Sequence, residues 1–379
     1  MRRVAALTVL ALAVAACGST APPPTTSAGP TATTLPAGVE PVEVDLTDDE
    51  LLADLGAPRP EGARWLRPIE GTELVGTTET VDPEELRLLD EAMRLLPPEL
   101  GPLPRAIVRT PTPPAIGGRT DPSAVAVGPD IYLFDDTFER DGLPIGPLGL
   151  ARILSHEIVH IAQFDTLEPT HVGEVLAFGG SVDLAESTLL EPFTSATGWE
   201  VVDEAWAAPP STSTEYGGTN PVEDMAEAVS LVTSGLGDSV PQPQREWVEE
   251  WLGADADTLA AGMPWAPAGS EEVLSASPLY DEEAVAAIEG TLREYIVYST
   301  PADGPDGATL AATTQERLRG RGLTGTIGAV DDERIARWSG RFDRPDGVVV
   351  WVELWDFRKA PGFTEGPDAP VLSYMLVWP

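Results

Sequence analysis

Residues 150–164 read LARILSHEIVHIAQF, and the spacing within this stretch decides how the middle of the chain folds. Leu148, Leu150, Ile153, Leu154, Ile158, Val159, Ile161 and Phe164 cover most of a helical circumference, which predicts a helix buried on nearly every side. A narrow polar stripe interrupts that surface at Arg152, His156, His160 and Gln163. Positions four apart lie one turn from each other on the same face, so His156 and His160 can aim imidazole nitrogens at one point. Glu157 borders the same face. A buried polar stripe costs free energy unless something satisfies it. A metal ion in a water-filled cleft would do so, and so would ordinary core partners for the two histidines.

The pattern His156-Glu157-x-x-His160 resembles the zincin metallopeptidases, in which the two histidines ligate zinc and the glutamate is the general base. That resemblance implies a third protein ligand and a fourth position left for water. Thiolate is excluded, because the single cysteine, Cys17, stands far away near the N-terminus. The metzincin spacing is absent, since Gln163 and Thr166 occupy the positions that would need Gly and His. His171, an aspartate such as Asp165, or a distant glutamate remains.

Residues 213–232, STEYGGTNPVEDMAEAVSLV, offer the strongest glutamate. Asn220-Pro221 marks a helix start, and Glu223 and Glu227 follow one turn apart. Two such carboxylates repel each other mildly on an exposed face. Beside a divalent cation the pair becomes favourable, one as ligand and the other accepting a histidine N–H. The competing reading makes Asn220 the N-cap and Glu223 the distal residue of a capping box.

Tyr216-Gly217-Gly218-Thr219-Asn220-Pro221-Val222-Glu223-Asp224-Met225-Ala226-Glu227-Ala228 resembles the second motif of the anthrax lethal factor catalytic domain and the related secreted Pro-Pro endopeptidases. In that family a tyrosine stands seven residues before a zinc-binding glutamate. The resemblance implies His156, His160 and Glu223 as zinc ligands and Glu157 as base. It makes Tyr216 the donor to the reaction's oxyanion and Glu227 a support for a ligating histidine. It covers two short motifs and their order. The gap from His160 to Glu223 is longer than in that family, and His171 stays a rival ligand.

Outward from these motifs, VDPEELRLLDEAMRLLPPEL (81–100) predicts an amphipathic helix, and RAIVRT, SAVAVG and DIYLF predict short strands. DIYLF is expected to be an edge strand that holds an extended substrate. VEDMAEAVSLVTSG, REWVEEWL and DEEAVAAIEGTLREYIVY read as helices, so about 147–298 is expected to be mainly helical. From about residue 322 the chain is β-branched and aromatic, with Arg344-Pro345-Asp346-Gly347 as a turn. The expected class is α+β: a zincin-like domain with a small sheet and a mainly helical C-terminal part over 46–300, then a β-rich domain over 301–379.

The N-terminus has the layout of a signal peptide over residues 1–16, with Arg2 and Arg3 followed by thirteen apolar or small residues from Val4 to Ala16. A membrane span needs about 20. AVAAC resembles the lipobox of bacterial lipoproteins, which implies Cys17 as the lipidated residue and an extracytoplasmic protein anchored to the cell membrane. Residues 17–45, rich in Pro and Thr, are expected to be a disordered tether with a reach of about 70 Å. Formal net charge is −39, and loss of Arg2 and Arg3 gives 21 − 62 = −41. Phosphates would be repelled, so nucleic acid is excluded as a partner.

These features predict a monomeric cell-surface zinc metallopeptidase acting on a peptide or protein. The alternative is a non-catalytic envelope lipoprotein with a structural zinc, binding cell-wall or protein partners through Trp338, Trp351, Trp355 and Trp378. Such aromatics more often fill a core.

Overall fold

A computed structural model describes residues 65–68, 83–100, 104, 106–109, 123–127, 130–140, 143–165, 189–203, 205–276, 292–330, 336–356 and 369–378. The signal segment, Cys17, the tether and His171 lie outside the described residues.

The described part opens with β1 (Trp65–Pro68) and α1 (Pro83–Leu95). Leu86, Leu89, Ala92 and Leu95 bury one side of α1. Glu84 and Glu85 at its start and Arg94 at its end complement the helix dipole. Strands β2 (Ala106–Arg109), β3 (Ala124–Val127) and β4 (Asp130–Leu133) complete a sheet of order β1-β2-β4-β3. β2 and β4 run parallel; β1 and β3 are antiparallel to their neighbours. Buried Arg109 of β2 ties Glu85 of α1 to Asp135, and its guanidinium lies over the Phe138 ring. DIYLF is therefore not an edge strand: β4 sits between β2 and β3, and among the described strands β3 is the edge on that side, β1 on the other. A period of two fixes which faces a strand presents but says nothing of its place in the sheet.

The short pair β5 (Glu139–Arg140) and β6 (Leu143–Pro144) leads into α2 (Pro147–Asp165), the histidine helix. α2 packs on α1, on the β3 side of the sheet and on a later helix, α4. Between them come α3 (Leu190–Thr197) and the hairpin β7 (Glu200–Val202) with β8 (Ala205–Ala207). α4 (Pro221–Leu231) starts as its sequence dictates. Asn220 is the N-cap, its side-chain oxygen accepting the Val222 and Glu223 N–H groups, and Pro221 fills the first helical position. A π turn over Val232–Leu236 follows, where Gly235 has φ 91 and a Cβ would stand 2.1 Å from the Pro264 carbonyl oxygen. Then come α5 (Gln242–Leu252) and α6 (Ala256–Leu259).

β9 (Glu271–Ala276), β10 (Leu292–Ser299), α7 (Gly307–Gly320), β11 (Thr324–Val330), β12 (Ala336–Asp343), β13 (Val349–Asp356) and β14 (Val371–Trp378) finish the described chain. The strands form one antiparallel sheet of order β11-β12-β13-β14-β10-β9. The expected turn closes β12 onto β13, with the Gly347 N–H bonded to the Arg344 carbonyl and Gly347 at φ 93. Val350, Val352, Leu354, Leu372, Tyr374, Leu376 and Trp378 point into the core, and Trp355 is buried as well.

Two further expectations change here, and one element is new. Residues 292–298, read as the end of a helix, form β10, in which Glu294 and Ile296 to Tyr298 are buried. The C-terminal sheet is not confined to 301–379, because β9 and β10 precede residue 300 and pair within it. Helix α7, unforeseen, crosses the connection between β10 and β11 and packs on β11, β12 and β13.

The sheet is also joined to the rest. Glu294, fully buried, accepts the Leu148 and Gly149 N–H groups at 2.6 and 3.0 Å and so caps α2. One continuous apolar core runs through the first sheet, the helices and the second sheet. The class is α+β.

Candidate metal centre

α2 delivers the first two side chains. His156 and His160 face one another with Nε2 atoms 3.0 Å apart and rings nearly perpendicular. The first turn of α4 delivers the third: Glu223 Oε2 is 3.3 Å from His156 Nε2 and 3.4 Å from His160 Nε2. Among the described residues this group could hold a metal ion, its ligand atoms all lying within 4.8 Å of one another. Asn220 caps the helix alone. The Glu223 carboxylate turns to the histidines, so the capping-box reading does not account for its position.

The far side of each imidazole is held as well. His156 Nδ1 meets Glu227 Oε1 at 3.0 Å, and His160 Nδ1 meets Gln163 Oε1 at 2.8 Å. Both outer partners accept, so each Nδ1 carries the hydrogen and each Nε2 turns its lone pair inward in the neutral ring. Two ring lone pairs and a carboxylate oxygen thus converge on one point, and such a set needs a cation among them.

The electrostatics agree. Burial alone would lower the His156 pKa, but hydrogen bonds to Glu223 and Glu227 and the charges of Glu157 and Glu223 outweigh it and raise it to about 10. Without a metal, a proton on His156 supplies the positive charge. Burial would raise the Glu223 carboxyl, yet the facing histidines hold it well below the usual range. Glu157 is shifted upward by burial, against the pull of both histidines and a hydrogen bond from the Ala126 backbone of β3. An elevated carboxyl beside a metal group suits proton transfer.

Tyr216 stands just before α4, 40% exposed, its ring centre 6.3 Å from that of His156. Its loop is pinned from behind. Asp224, fully buried, accepts the Ser213 N–H at 2.7 Å, the Trp199 indole N–H at 2.9 Å and the Gln244 amide at 3.2 Å. Thr214 bonds Glu227 and receives the Gly217 N–H. A Cβ on Gly217 would lie 3.1 Å from the Asp224 backbone, so the loop approaches α4 as only glycine permits comfortably.

The structure therefore brings His156, Glu157, His160, Tyr216, Glu223 and Glu227 to one place. Asp165 is the last residue of α2, and its side chain, like His171, lies outside what the structure describes. Sequence reasoning missed Asp224, Thr214 and the cap from Glu294. It placed Gln163 in the polar stripe without giving it a role. No family model matches the chain, and no curated protein or solved structure was found to be similar to it.

Proposed function

We propose that this chain is a zinc metallopeptidase that hydrolyses peptide bonds. The observation that carries the reading is the convergence of three lone-pair donors, each imidazole fixed by an outer acceptor, with a buried glutamate beside them. Tetrahedral zinc with bonds of about 2.0–2.1 Å sets neighbouring ligand atoms about 3.4 Å apart. The observed separations of 3.0, 3.3 and 3.4 Å fit that donor set. The two-motif resemblance to the lethal factor and Pro-Pro endopeptidase group assigns the same residues the same roles.

His156, His160 and Glu223 would hold the ion, with Glu227 behind His156. When bound, zinc supplies a Lewis acid that lowers the pKa of water towards about 7. Glu157 takes the proton from the attacking water and passes it to the leaving amine. The Tyr216 hydroxyl donates to the oxyanion that develops on the scissile carbonyl.

β3 gives the substrate a place to lie. The Phe134 N–H bonds the Ser123 carbonyl, and Ala124 pairs with Leu133 and Ala126 with Ile131. Bonded and non-bonded pairs alternate in an antiparallel ladder. The main-chain groups of Ala124 and the Ala126 carbonyl therefore point away from β4, towards an added strand, while the Ala126 N–H bonds Glu157. Anchorage outside the cytoplasm through Cys17 belongs to the same proposal. The binder alternative draws little from the aromatics, since Trp355 and Trp378 are buried.

The test is zinc content and cleavage of a peptide mixture, measured together on wild type, Glu157→Gln and Tyr216→Phe. Glu157→Gln should keep about one zinc per chain and lose cleavage to background, because an amide cannot take the proton. Tyr216→Phe should keep zinc and lose about 10²-fold in kcat. A wild-type protein with zinc but no hydrolysis of any peptide would overturn the enzymatic reading.

A further inference from the structure

We infer that Gln163 is a positioning residue for the metal centre: it sets the tautomer of His160 and clamps the helix that carries Glu223. The inference rests on the metal reading above and is independent of peptide cleavage.

Gln163 lies three residues after His160 on α2, on the same face, and is 3% exposed. Its two polar atoms do different things. Oε1 accepts from His160 Nδ1 at 2.8 Å, and Nε2 donates to the Val222 carbonyl oxygen at 2.9 Å. Val222 immediately precedes Glu223, so one side chain contacts a ligating ring and the turn that presents the third ligand. The amide orientation follows from the partners. Val222 offers only a carbonyl oxygen, so Nε2 must face it and Oε1 must face the ring.

With Oε1 facing it, His160 keeps its hydrogen on Nδ1 and leaves Nε2 open for the metal. Without that acceptor the ring is free to place the hydrogen on Nε2, where it blocks coordination. Glu227 performs the corresponding task for His156. The two outer partners differ: Glu227 is charged and reaches His156 from α4 itself, whereas Gln163 is neutral, shares α2 with His160, and adds a donor that ties α2 to the Val222 carbonyl of α4. Outer partners of this kind typically change metal affinity by about 10–100-fold.

The chain has three histidines, so selective ¹⁵N-histidine labelling of the full-length protein gives few enough ring signals to assign by substitution. In the metal-free wild type His160 should show a protonated Nδ1 and an unprotonated Nε2. Gln163→Leu should shift that pattern towards Nε2–H and weaken zinc binding about 10–100-fold in competition with a chelator. Gln163→Glu keeps the acceptor and removes the link to Val222. It should hold the tautomer, lose less than about tenfold in zinc affinity, and report on the assignment if the leucine variant does not fold. Nε2–H on His160 in the wild type would overturn the inference, as would a Gln163→Leu variant with unchanged tautomer and zinc affinity. Failure of wild type to bind zinc would instead sink the metal reading, and the tautomer alone would then decide the role of Gln163.

Discussion

Two of the buried polar clusters among the described residues, one at each end of the α4 region, are built on opposite principles. Around Arg321, just past α7, donors and acceptors match. Its Nε meets Asp257 at 3.1 Å, and its two Nη atoms reach the carbonyls of Pro264 and Gly235. Arg317 takes the other Asp257 oxygen at 2.8 Å, and the Trp265 indole N–H donates to Asp238. At the histidine cluster three acceptors face one another, while the ring N–H groups point outward to Glu227 and Gln163. The first arrangement is complete as a protein and fastens the C-terminal sheet to the helices. The second is complete only with a positive charge added. Buried polarity by itself does not mark a site; an imbalance of donors and acceptors does.

The contrast breaks most visibly at Glu223. Glu223→Ala removes the anionic member of the trio and should reduce zinc affinity by well over the 10–100-fold typical of an outer partner, with cleavage lost alongside. Dialysis against a graded chelator followed by metal analysis measures it. A variant that holds zinc as tightly as wild type would refute Glu223 as ligand. The search would then move to His171, whose own alanine substitution should otherwise be harmless.

At the balanced cluster the expected loss is of stability and not of metal. Arg321→Met leaves the Gly235 and Pro264 carbonyls and one Asp257 oxygen without their donor. The cost should be about 2–4 kcal/mol, read from the denaturant midpoint of the metal-free protein, while zinc affinity stays within about threefold. A fall in zinc affinity as large as that of Glu223→Ala would show that the two clusters are coupled.

How much of this was legible in the sequence follows from the range of the interactions. The histidine stripe and the Asn220-Pro221 start are local, and both α2 and α4 form where their spacing says. Strand order is not local. Nothing in DIYLF tells that β4 lies inside the sheet, because β2 and β3 decide it. β10 was hidden by the acidic, alanine-rich run before it, and its identity as a strand comes from β14, some 80 residues away in the chain. The Glu294 cap is the extreme case, reaching back 146 residues to Leu148, two positions past Gly146, where a Cβ would collide with its side chain. At the site, Gln163 showed its polarity but not its second partner, since a main-chain carbonyl leaves no mark on a sequence.

The finest test of the contrast is pH. In the metal-free protein His156 is raised to about 10; burial opposes the shift, and the hydrogen bonds to Glu223 and Glu227 with the nearby carboxylate charges prevail. An unfolded histidine titrates near 6.5. Between those values the folded chain holds a proton that the unfolded chain has released, so this contribution to stability falls as pH rises. It is fully present below about 6.5 and lost by about 10, at a rate of up to about 1.4 kcal/mol per pH unit. Zinc must displace the same proton, so its affinity should run the other way and rise up to about tenfold per pH unit across the window. Chelator competition at about pH 6, 7 and 8, beside denaturation of the metal-free protein over the same range, reads both slopes. The Arg321 cluster, with its donors already matched, gives no reason for either slope. A zinc affinity flat with pH would mean that no proton occupies the point where His156, His160 and Glu223 converge, and the imbalance that separates the two clusters would be gone.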